Sequence, residues 1–386
     1  NEFIPNLLNS PIYFFSKLLI SNDYSLLVHG PESSKTLMMK HLMKNSLDLT
    51  KFDCHVLPLS NCSTPNSISN FFKYYMHRRQ KNYCPLNGMK MVFFIDNMGS
   101  VKPEIYGAQP ALELLRQFFD QHGWYNASSV EFNGIIGANI IGAMGIPGGG
   151  LFSIPERLSR HFVIFHLPKY SNDDNSFILN TLLKEHFKTD FELVETSISA
   201  TLEFYQECVQ TLLPIPSKLH YIFSLRDIVR MYSGMLLCAG NHNKNEFIQL
   251  WYHEMSRTFN DRFNTINDRQ WFKRTISTMT SKFFNVSWES IKPNLLMFNT
   301  FANDSQKYSK VEIENEVLLK NCNQMLEDHN RDSTKQLDIV LFSEAIEHLS
   351  SLSRILAFQK GHAMLVGVKS SGRKSLARLA LHSSAL

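Results

Sequence analysis

The sequence predicts an α/β fold in which helices flank a parallel β-sheet, followed by a mostly helical region. In the first 167 residues, short apolar runs typical of buried strands alternate with segments whose apolar residues have helical spacing. Such alternation is typical of a parallel sheet covered on both faces. From about residue 168, the strand patterns stop and amphipathic helical patterns dominate.

The predicted elements of the first part follow one another in a regular order. Strands are predicted at residues 25–29, 53–57, 91–96, 135–141 and 161–165. Helices are predicted at residues 35–45, 67–78 and 110–121. Strands that alternate with helices in this order predict βαβ units and therefore a parallel sheet.

The second part contains helices and then a partial repeat of the opening pattern. Helices are predicted at residues 177–187, 197–211, 225–238, 245–258, 311–329 and 337–353. A short strand at 362–366 and a glycine-containing turn then resemble the start of the chain. A chain of 386 residues is too long for one compact core. We therefore expect a large α/β domain (1–167), a helical domain (168–332) and the beginning of another module (333–386).

Composition and charge exclude several classes of protein. The chain is 44% hydrophobic and 19% charged, as ordinary globular proteins are. A net charge of +4 is weak evidence for nucleic acid, and the glycine-rich apolar stretch 135–152 does not fit a membrane span. Six scattered cysteines without a C-x-x-C pair, and no visible signal peptide, favour an intracellular protein. Neither nucleic acid nor membrane is expected as a partner.

A phosphate-binding loop is predicted after the first strand, where Gly30-Pro31-Glu32-Ser33-Ser34-Lys35-Thr36 leads into a helix. In a P-loop, backbone N–H groups hold phosphates, the lysine contacts the β/γ oxygens and the hydroxyl binds Mg²⁺. This loop is degenerate, because Gly30 lies five and not six positions before Lys35, and Ser34 replaces the second glycine. The pattern predicts weakened binding of ATP or ADP with Mg²⁺. The alternative is a helix N-terminus with a solvent-exposed lysine.

The strand at 91–96 ends on Asp96, in the position of a Walker B aspartate that holds the Mg²⁺ water shell. The next residue usually supplies an acidic general base, but here it is Asn97. An amide cannot accept a proton at neutral pH, and loss of a general base costs about 10²- to 10⁴-fold in rate. The sequence thus predicts slow hydrolysis if nucleotide binds.

A second basic glycine loop follows the predicted strand at 362–366. Its glycines, Gly367 and Gly372, have the correct P-loop separation, but Arg373 takes the place of the lysine. Lys374 stands where the hydroxyl should be, and Ser375 follows it. Arginine still contacts phosphate. The alternative is a basic Gly-Ser loop without phosphate.

Longer motifs lie in order along nearly the whole chain. They include Tyr106-Gly107-Ala108-Gln109-Pro110, Gly142-Ala143-Met144-Gly145, Arg157-Leu158-Ser159-Arg160-His161-Phe162, Leu250-Trp251-x-His253-Glu254-x-x-Arg257 and Ala345-Ile346-Glu347-His348. Together they resemble the third AAA+ module of axonemal dynein heavy chains, with the segment 361–379 similar to the entry into the fourth. The Ala-Ile-Glu-His run is most similar to the inner-arm chains.

The resemblance implies roles for individual residues. Lys35, Thr36 and Asp96 would line the module's own nucleotide site. Arg157 would be an arginine finger that reaches the preceding module's site, and Arg226 would be a sensor arginine of the lid domain. Gly145 would stand where related modules have a polar residue that senses the γ-phosphate. Taken alone, each arginine has the simpler interpretation of a surface residue.

The resemblance also implies a function. The chain would be part of a dynein-like microtubule motor ring that drives ciliary motility, located in the cytoplasm, the cytoskeleton and the ciliary axoneme. Its partners would be neighbouring AAA+ modules and, through the parent protein, microtubules and other dynein chains. This module would be regulatory and weakly active or inactive as an enzyme. The alternatives are a nucleotide-free structural spacer and, from another class, a stand-alone P-loop NTPase.

Overall fold

The computed structural model describes residues 3–31, 34–126, 130–183, 191–238, 243–292, 296–301, 308–311, 315–333, 335–359, 361–369 and 371–384. The chain divides into two compact units, Asn1–Ile178 and Leu179–Leu386. Each unit contains its own buried apolar clusters.

The strands and helices alternate along the first unit, and helices dominate the second. The strands are β1 (Leu26–His29), β2 (Phe52–Pro58), β3 (His77–Arg79), β4 (Asn82–Cys84), β5 (Lys90–Asp96), β6 (Gly123–Tyr125), β7 (Phe132–Ile135), β8 (Ala138–Met144), β9 (Val163–His166), β10 (Phe298–Asn299) and β11 (Ser309–Lys310). The helices are α1 (Asn9–Ser21), α2 (Lys35–Asn45), α3 (Pro65–Tyr75), α4 (Pro110–Gln121), α5 (Glu156–Ser159), α6 (Asn172–Leu183), α7 (Phe191–Thr211), α8 (Leu225–Leu237), α9 (Lys244–Thr258), α10 (Ile266–Phe284), α11 (Trp288–Ile291), α12 (Asn315–Asp332), α13 (Ser343–Ala357) and α14 (Arg373–Ser383).

A five-stranded parallel sheet forms the centre of the first unit, with the strand order β2-β5-β8-β1-β9. In β5, every residue after Lys90 is buried, as expected for a strand covered on both faces. Helices α2 and α4 have the predicted bounds, and the α/β fold class is confirmed. The predicted strand at 135–141 is divided, because Ile135 ends β7 and Gly137 turns at φ +72° into β8.

A second sheet with the order β3-β4-β7-β6 was not predicted. The predicted helix at 67–78 is too long, since α3 ends at Tyr75 and Met76 is extended. The basic run that follows forms β3, and Arg78 pairs with Tyr83 in an antiparallel hairpin. Residues 77–79 therefore obtain their backbone hydrogen bonds from a neighbouring strand and not from a helix.

The second unit begins with a helical domain made of α7 to α10. Two of its helices start with capping boxes, Ser224 with Asp227 on α8 and Asn243 with Glu246 on α9. Large side chains fill its core, among them Phe204, Trp251 and Phe272. Helices α7 to α10 confirm the predicted fold class, in which a helical domain follows the α/β domain.

The last part of the second unit differs from the prediction in two places. Helix α13 begins at Ser343, whereas the predicted helix began at residue 337. The predicted strand at 362–366 is irregular, and no described strand pairs with it. Met364 is 88% exposed, so this segment obtains neither burial nor ladder hydrogen bonds from the residues that the structure describes.

None of the helices that the structure describes is a candidate for a membrane span. None of them combines the length and the apolar character that a bilayer crossing requires.

Candidate functional site

The predicted nucleotide site lies at the edge where the carboxyl ends of the parallel strands meet. Gly30 follows β1, Asp96 is the last residue of β5, and Gly145 follows β8. In α2, Thr36 Oγ1 donates a hydrogen bond to Asp96 Oδ1 at 3.0 Å, and the Asp96 side chain is largely buried. The structure thus brings together the hydroxyl and the carboxylate that the sequence predicted as Mg²⁺ ligands.

Lys35 is buried and lies over the start of its own loop. Its Nζ donates hydrogen bonds to the carbonyl oxygen of Gly30, at 2.9 Å, and to that of Pro31. Ser34, the N-cap of α2, makes no side-chain capping hydrogen bond. The Lys35 ammonium therefore lies over the turn that precedes α2, and the positive end of the α2 dipole begins at Ser34, a combination that suits phosphate oxygens.

The two departures from the P-loop pattern have different consequences for the backbone. Ser34 has φ −68°, so the position of the second glycine accepts a residue with a side chain here. Gly30 has φ +152°, and a Cβ on it would lie 2.1 Å from the carbonyl oxygen of Leu167. Only glycine fits at residue 30, because the loop passes directly over the end of β9. Residues 32 and 33 lie outside the described residues.

A pair of histidines lies beside the start of this loop. His29, the last residue of β1, has its Nδ1 3.3 Å from Nδ1 of His166, the last residue of β9. Burial lowers the pKa of His29, and the neighbouring His166 and Lys35 lower it further. Only one of the two Nδ1 atoms is able to hold the hydrogen between them. Sequence reasoning missed this pair. The available signal was the histidine that follows the apolar residues at the end of each of the two strands, β1 and β9.

The residues that would act on the γ-phosphate are replaced. Asn97 has an exposed side chain and a left-handed backbone (φ 59°, ψ 43°), and its N–H donates to Asp96 Oδ1 at 3.0 Å. Gly145 places no functional group at the end of β8, and a Cβ there would lie 2.7 Å from Leu151 Cδ1. The edge therefore carries a hydroxyl, a carboxylate and an ammonium close together, but the Asn97 side chain is an amide and not an acid, and Gly145 has no polar side chain.

The predicted arginine finger, Arg157, lies on the short helix α5 with its side chain exposed. No described residue forms an ion pair or a hydrogen bond with that side chain. By contrast, the nearby Arg160 contacts Asp120 Oδ1 at 3.0 Å. The buried Leu158 side chain fixes α5 to the rest of the first unit. The Arg157 guanidinium is therefore held at the surface, where a partner can reach it.

The predicted sensor arginine, Arg226, is the second residue of α8 and is exposed. Its guanidinium has no ion-pair partner among the residues that the structure describes. The start of α8 is fixed by Asp227, whose Oδ1 lies 3.2 Å from Nη1 of Arg262. Arg262 also donates to the carbonyl oxygen of His220 at 2.7 Å. These contacts position Arg226 without using its own charge.

The second glycine loop repeats one contact of the first. Arg373 Nη2 donates to the carbonyl oxygen of Val368 at 3.1 Å, as Lys35 donates to Pro31. Both acceptors directly follow the first glycine of their loop. Here the N-cap of α14 is Gly372, with φ +71°, and Lys374 and Ser375 lie in the first turn of that helix. Gly367 packs against Ser371, whose Oγ would lie 3.0 Å from an added Cβ.

Sequence reasoning missed a buried ion pair in the second unit. Glu254 of α9 is fully buried and accepts hydrogen bonds from Nε of Arg354 in α13, at 2.9 Å and 3.1 Å. The Tyr308 hydroxyl donates to Glu254 Oε1 at 2.7 Å. Although burial disfavours the charged guanidinium, the Glu254 carboxylate raises the pKa of Arg354. The available signal was an acidic residue, Glu254, within the predicted helix at 245–258.

Comparison with protein families identifies three consecutive segments. Residues 1–170 match the P-loop containing dynein motor region, and residues 197–292 match the AAA+ lid domain. The chain contains an AAA+ P-loop module and its helical lid. Residues 337–385 match the P-loop containing dynein motor region D4, so a second AAA+ segment follows the lid.

The chain is also similar to axonemal dynein heavy chains. It is 30% identical to dynein axonemal heavy chain 1 of Mus musculus over 99% of its length. It is 32% identical to dynein axonemal heavy chain 12 of Homo sapiens over 95%, and 30% identical to dynein axonemal heavy chain 3 of Mus musculus over 97%. These alignments cover 10%, 13% and 10% of the three relatives. The chain therefore spans about a tenth of the length of the curated relatives that it matches.

Proposed function

We propose that the chain is a segment of an axonemal dynein heavy chain, made of the third AAA+ module and the beginning of the fourth. The order of a P-loop region, a lid and a D4 region supports this placement. The large domain is 1–167, the lid domain is 168–332, and the next module begins at 333. The parent chain is a microtubule motor of the ciliary axoneme, and its modules are neighbours in one ring.

Within that ring, this module binds a nucleotide with Mg²⁺ and regulates its neighbours. The observation that supports this function is the Thr36–Asp96 hydrogen bond of 3.0 Å beside the buried Lys35. Lys35 and the first N–H groups of α2 would hold phosphate oxygens, and Thr36 and Asp96 would hold the metal. Bound Mg²⁺ supplies charge neutralisation at the phosphates.

Hydrolysis in this module is slow or absent. The Asn97 amide orients a water through hydrogen bonds but does not take its proton. Gly145 offers no polar group to sense the γ-phosphate. A module that holds nucleotide for long periods is suited to setting the state of the lid and not to supplying the main ATP turnover.

The remaining predicted residues act between modules. Arg157, exposed and without a described ion-pair partner, serves as the finger for the preceding module's site. Arg226 reports the nucleotide state of this module to its lid. The loop with Gly367, Gly372, Arg373, Lys374 and Ser375 begins the phosphate site of the following module.

A nucleotide-free spacer is the second candidate. It is favoured by one specific observation, because the Lys35 ammonium already has two carbonyl acceptors within its own shortened loop. In a spacer, these hydrogen bonds would satisfy the buried lysine permanently, with no need for phosphate.

A titration of the purified chain with a fluorescent ATP analogue and Mg²⁺ separates the two candidates. Saturable binding that is lost in Lys35→Ala supports the regulatory function. Lys44→Ala is the matched control, since Lys44 lies exposed on the same helix α2. No saturable binding up to millimolar nucleotide would overturn the regulatory function in favour of the spacer. Binding that survives Lys35→Ala would show that the site lies elsewhere.

A further inference from the structure

Two histidines meet at the ends of neighbouring parallel strands. In the pairing of β1 with β9, His29 lies directly opposite His166, so the two side chains project from the same face of the sheet. Their Nδ1 atoms are 3.3 Å apart, and their ring centroids are 5.4 Å apart with the rings tilted by 40°. The rings therefore meet through their Nδ1 atoms and are not stacked face to face.

A hydrogen bond between the rings uses the lone pair of only one Nδ1 atom. A neutral imidazole has one N–H and one lone-pair nitrogen, so one Nδ1 donates and the other accepts. Burial lowers the pKa of His29, and the neighbouring His166 and Lys35 lower it further, which keeps the His29 ring neutral at neutral pH. The neutral ring is the form in which histidine binds a metal ion.

The separation of the two Nδ1 atoms matches that of two ligands on one zinc ion. A Zn–N bond is about 2.0–2.1 Å long, so two nitrogens 3.3 Å apart subtend an angle of about 104–111° at the ion. This range includes the tetrahedral angle of about 109° that zinc adopts in proteins. Square-planar Cu²⁺ needs an angle of about 90°, which would bring the two nitrogens closer together than they are.

The remaining positions around such an ion would be open to water. Among the residues that the structure describes, no group of three or more histidine, cysteine, aspartate and glutamate side chains is placed to hold a metal ion. His166 is exposed and His29 is half-buried, so solvent reaches the pair. With two protein ligands and not four, and with the Lys35 ammonium nearby, we expect a dissociation constant for zinc on the order of 1–100 µM.

We propose that His29 and His166 form a zinc site that joins β1 to β9 where the loop beginning at Gly30 leaves the sheet. Both Nδ1 atoms bind the ion, and the ring that held its hydrogen on Nδ1 carries it on Nε2 instead, so both rings stay neutral. His166 directly precedes Leu167, whose carbonyl oxygen lies against Gly30. Zinc would therefore hold together the two segments that position this loop. The site uses other residues than the proposed Mg²⁺ site and goes beyond the proposed function.

Competition with a fluorescent zinc indicator tests the site in the nucleotide-free chain. The unaltered chain should bind about one more Zn²⁺ per molecule in the micromolar range than His166→Gln. Glutamine keeps a hydrogen-bonding amide opposite His29 but is not one of the usual zinc ligands, and residue 166 is exposed enough to accept it. His29→Gln should lose the same ion. Equal numbers of bound zinc ions in the unaltered chain and the two variants would overturn the site.

Amide hydrogen exchange shows where the ion binds. At free Zn²⁺ of ten times the dissociation constant, the amides of β1 and β9 that exchange only when the strands separate should exchange about tenfold more slowly. The slowing should disappear in His166→Gln. Mg²⁺ at the same concentration should not produce it, because Mg²⁺ prefers oxygen ligands. Unchanged exchange in the unaltered chain, or slowing that persists in His166→Gln, would overturn the site.

A second pair of histidines provides the matched control. His329 and His382 belong to the second unit, and their rings lie 5.2 Å apart but meet edge to face at 77°. His329→Gln removes a histidine as His166→Gln does, yet it should leave the zinc-dependent slowing of β1 and β9 unchanged. Loss of that slowing in His329→Gln would mean that zinc acts through the second unit, against the proposed site.

The outcomes for zinc and for nucleotide are independent, because these measurements contain no nucleotide. A chain that binds the ATP analogue but shows no zinc binding that depends on His166 would overturn only the zinc site. A chain that binds zinc through His29 and His166 but no nucleotide would support the zinc site and leave the structural spacer as the function of the module.

Discussion

The Thr36 hydroxyl donates to Asp96 Oδ1 at 3.0 Å and so joins the first turn of α2 to the end of β5. This hydrogen bond places two hard oxygen ligands together beside the N-terminus of a helix that also bears Lys35. Oxygen ligands from a hydroxyl and a carboxylate, with phosphates completing the shell, are the environment that Mg²⁺ prefers. The proposed metal site depends on this pair, and without Mg²⁺ binding the same hydrogen bond would serve only to hold the loop in shape.

Thr36→Val tests that distinction, because valine keeps the branched shape and removes the hydroxyl. We expect the affinity for an ATP analogue to fall about tenfold with Mg²⁺ and to change little in EDTA. Parallel fluorescence titrations in the two buffers measure the difference, with the exposed Thr50→Val as control. An equal loss in both buffers would mean that the hydroxyl acts on loop structure and not on the metal.

Asn97→Glu restores the missing acidic group next to Asp96. Turnover of ATP should rise by about 10- to 100-fold, short of the full contribution of a general base, since Gly145 still lacks a sensor group. Asn97→Gln is the matched control, because it has the same size and the same cost in the left-handed conformation (φ 59°) without a carboxylate. If both variants accelerate phosphate release equally, the acid–base argument is wrong. Fast turnover in the unaltered chain, abolished by Asp96→Asn, would contradict slow hydrolysis.

The sequence was most informative where the residues at the two ends of a helix or strand mark where it begins and ends. Helix α4 begins at Pro110, a residue suited to the first turn, and ends before His122, which is left-handed. The loop from Gly30 to Thr36 lies between a buried strand and a helix, so its location followed from the chain order. The positions of Lys35, Thr36 and Asp96 at one edge of the sheet followed from the same chain order.

Elements that depend on distant partners were not predicted. β3 is three exposed residues long, and its partner β4 pairs in turn with β7, about fifty residues further along the chain. Glu254 and Arg354 are a hundred residues apart in sequence. The spacing of apolar residues within one segment does not indicate a partner that lies so far away in sequence. A different reason applies to α10, whose mostly polar composition hid the buried stripe of Phe272, Ile276 and Met279.

Gly30→Ala should destabilise the first unit by more than about 2 kcal/mol. The added Cβ would lie 2.1 Å from the Leu167 carbonyl oxygen, and the hydrogen bond from Leu167 N to the His29 carbonyl at 2.8 Å holds that backbone in place. Gly148→Ala is the control, with a comparable φ of +132° and no atom within 4 Å of the added Cβ. Hydrogen exchange of β1 and β9 measures the effect. Similar losses in both variants would mean that φ alone, and not the contact with Leu167, requires glycine at residue 30.

His253 should make the second unit sensitive to acid. Burial lowers the pKa of His253 well below 6.5, and Arg257 and Arg354 lower it further. Below pH 6.5, His253 binds a proton in the unfolded chain but not in the folded chain. The stability that the neutral His253 contributes is therefore present above pH 6.5 and is lost below it, by up to about 1.4 kcal/mol per pH unit.

Urea unfolding followed by tryptophan fluorescence, from about pH 7.5 to about pH 5.5, measures this loss. Asp261, whose pKa is raised by burial, contributes with the opposite sign, as its protonation favours the folded state. The difference in slope between the unaltered chain and His253→Gln therefore isolates His253. Identical slopes would show that His253 takes up its proton as readily in the folded chain as in the unfolded chain.

Glu254→Gln should destabilise the second unit far more than the loss of an ordinary ion pair. It leaves the Arg354 guanidinium buried without its carboxylate, which typically costs about 3–5 kcal/mol. Glu203→Gln is the control, because the Glu203–Lys282 pair is partly exposed and is worth less than about 1 kcal/mol.

The double variant Glu254→Gln with Arg354→Met identifies the source of the loss. It should recover much of the stability, because it removes the stranded charge while keeping an apolar side chain against Phe358, over whose ring the guanidinium lies. Urea midpoints of the three variants give the comparison. If Glu254→Gln alone costs no more than Glu203→Gln, water reaches the pair, and the joint between the lid and α13 does not depend on a buried charge.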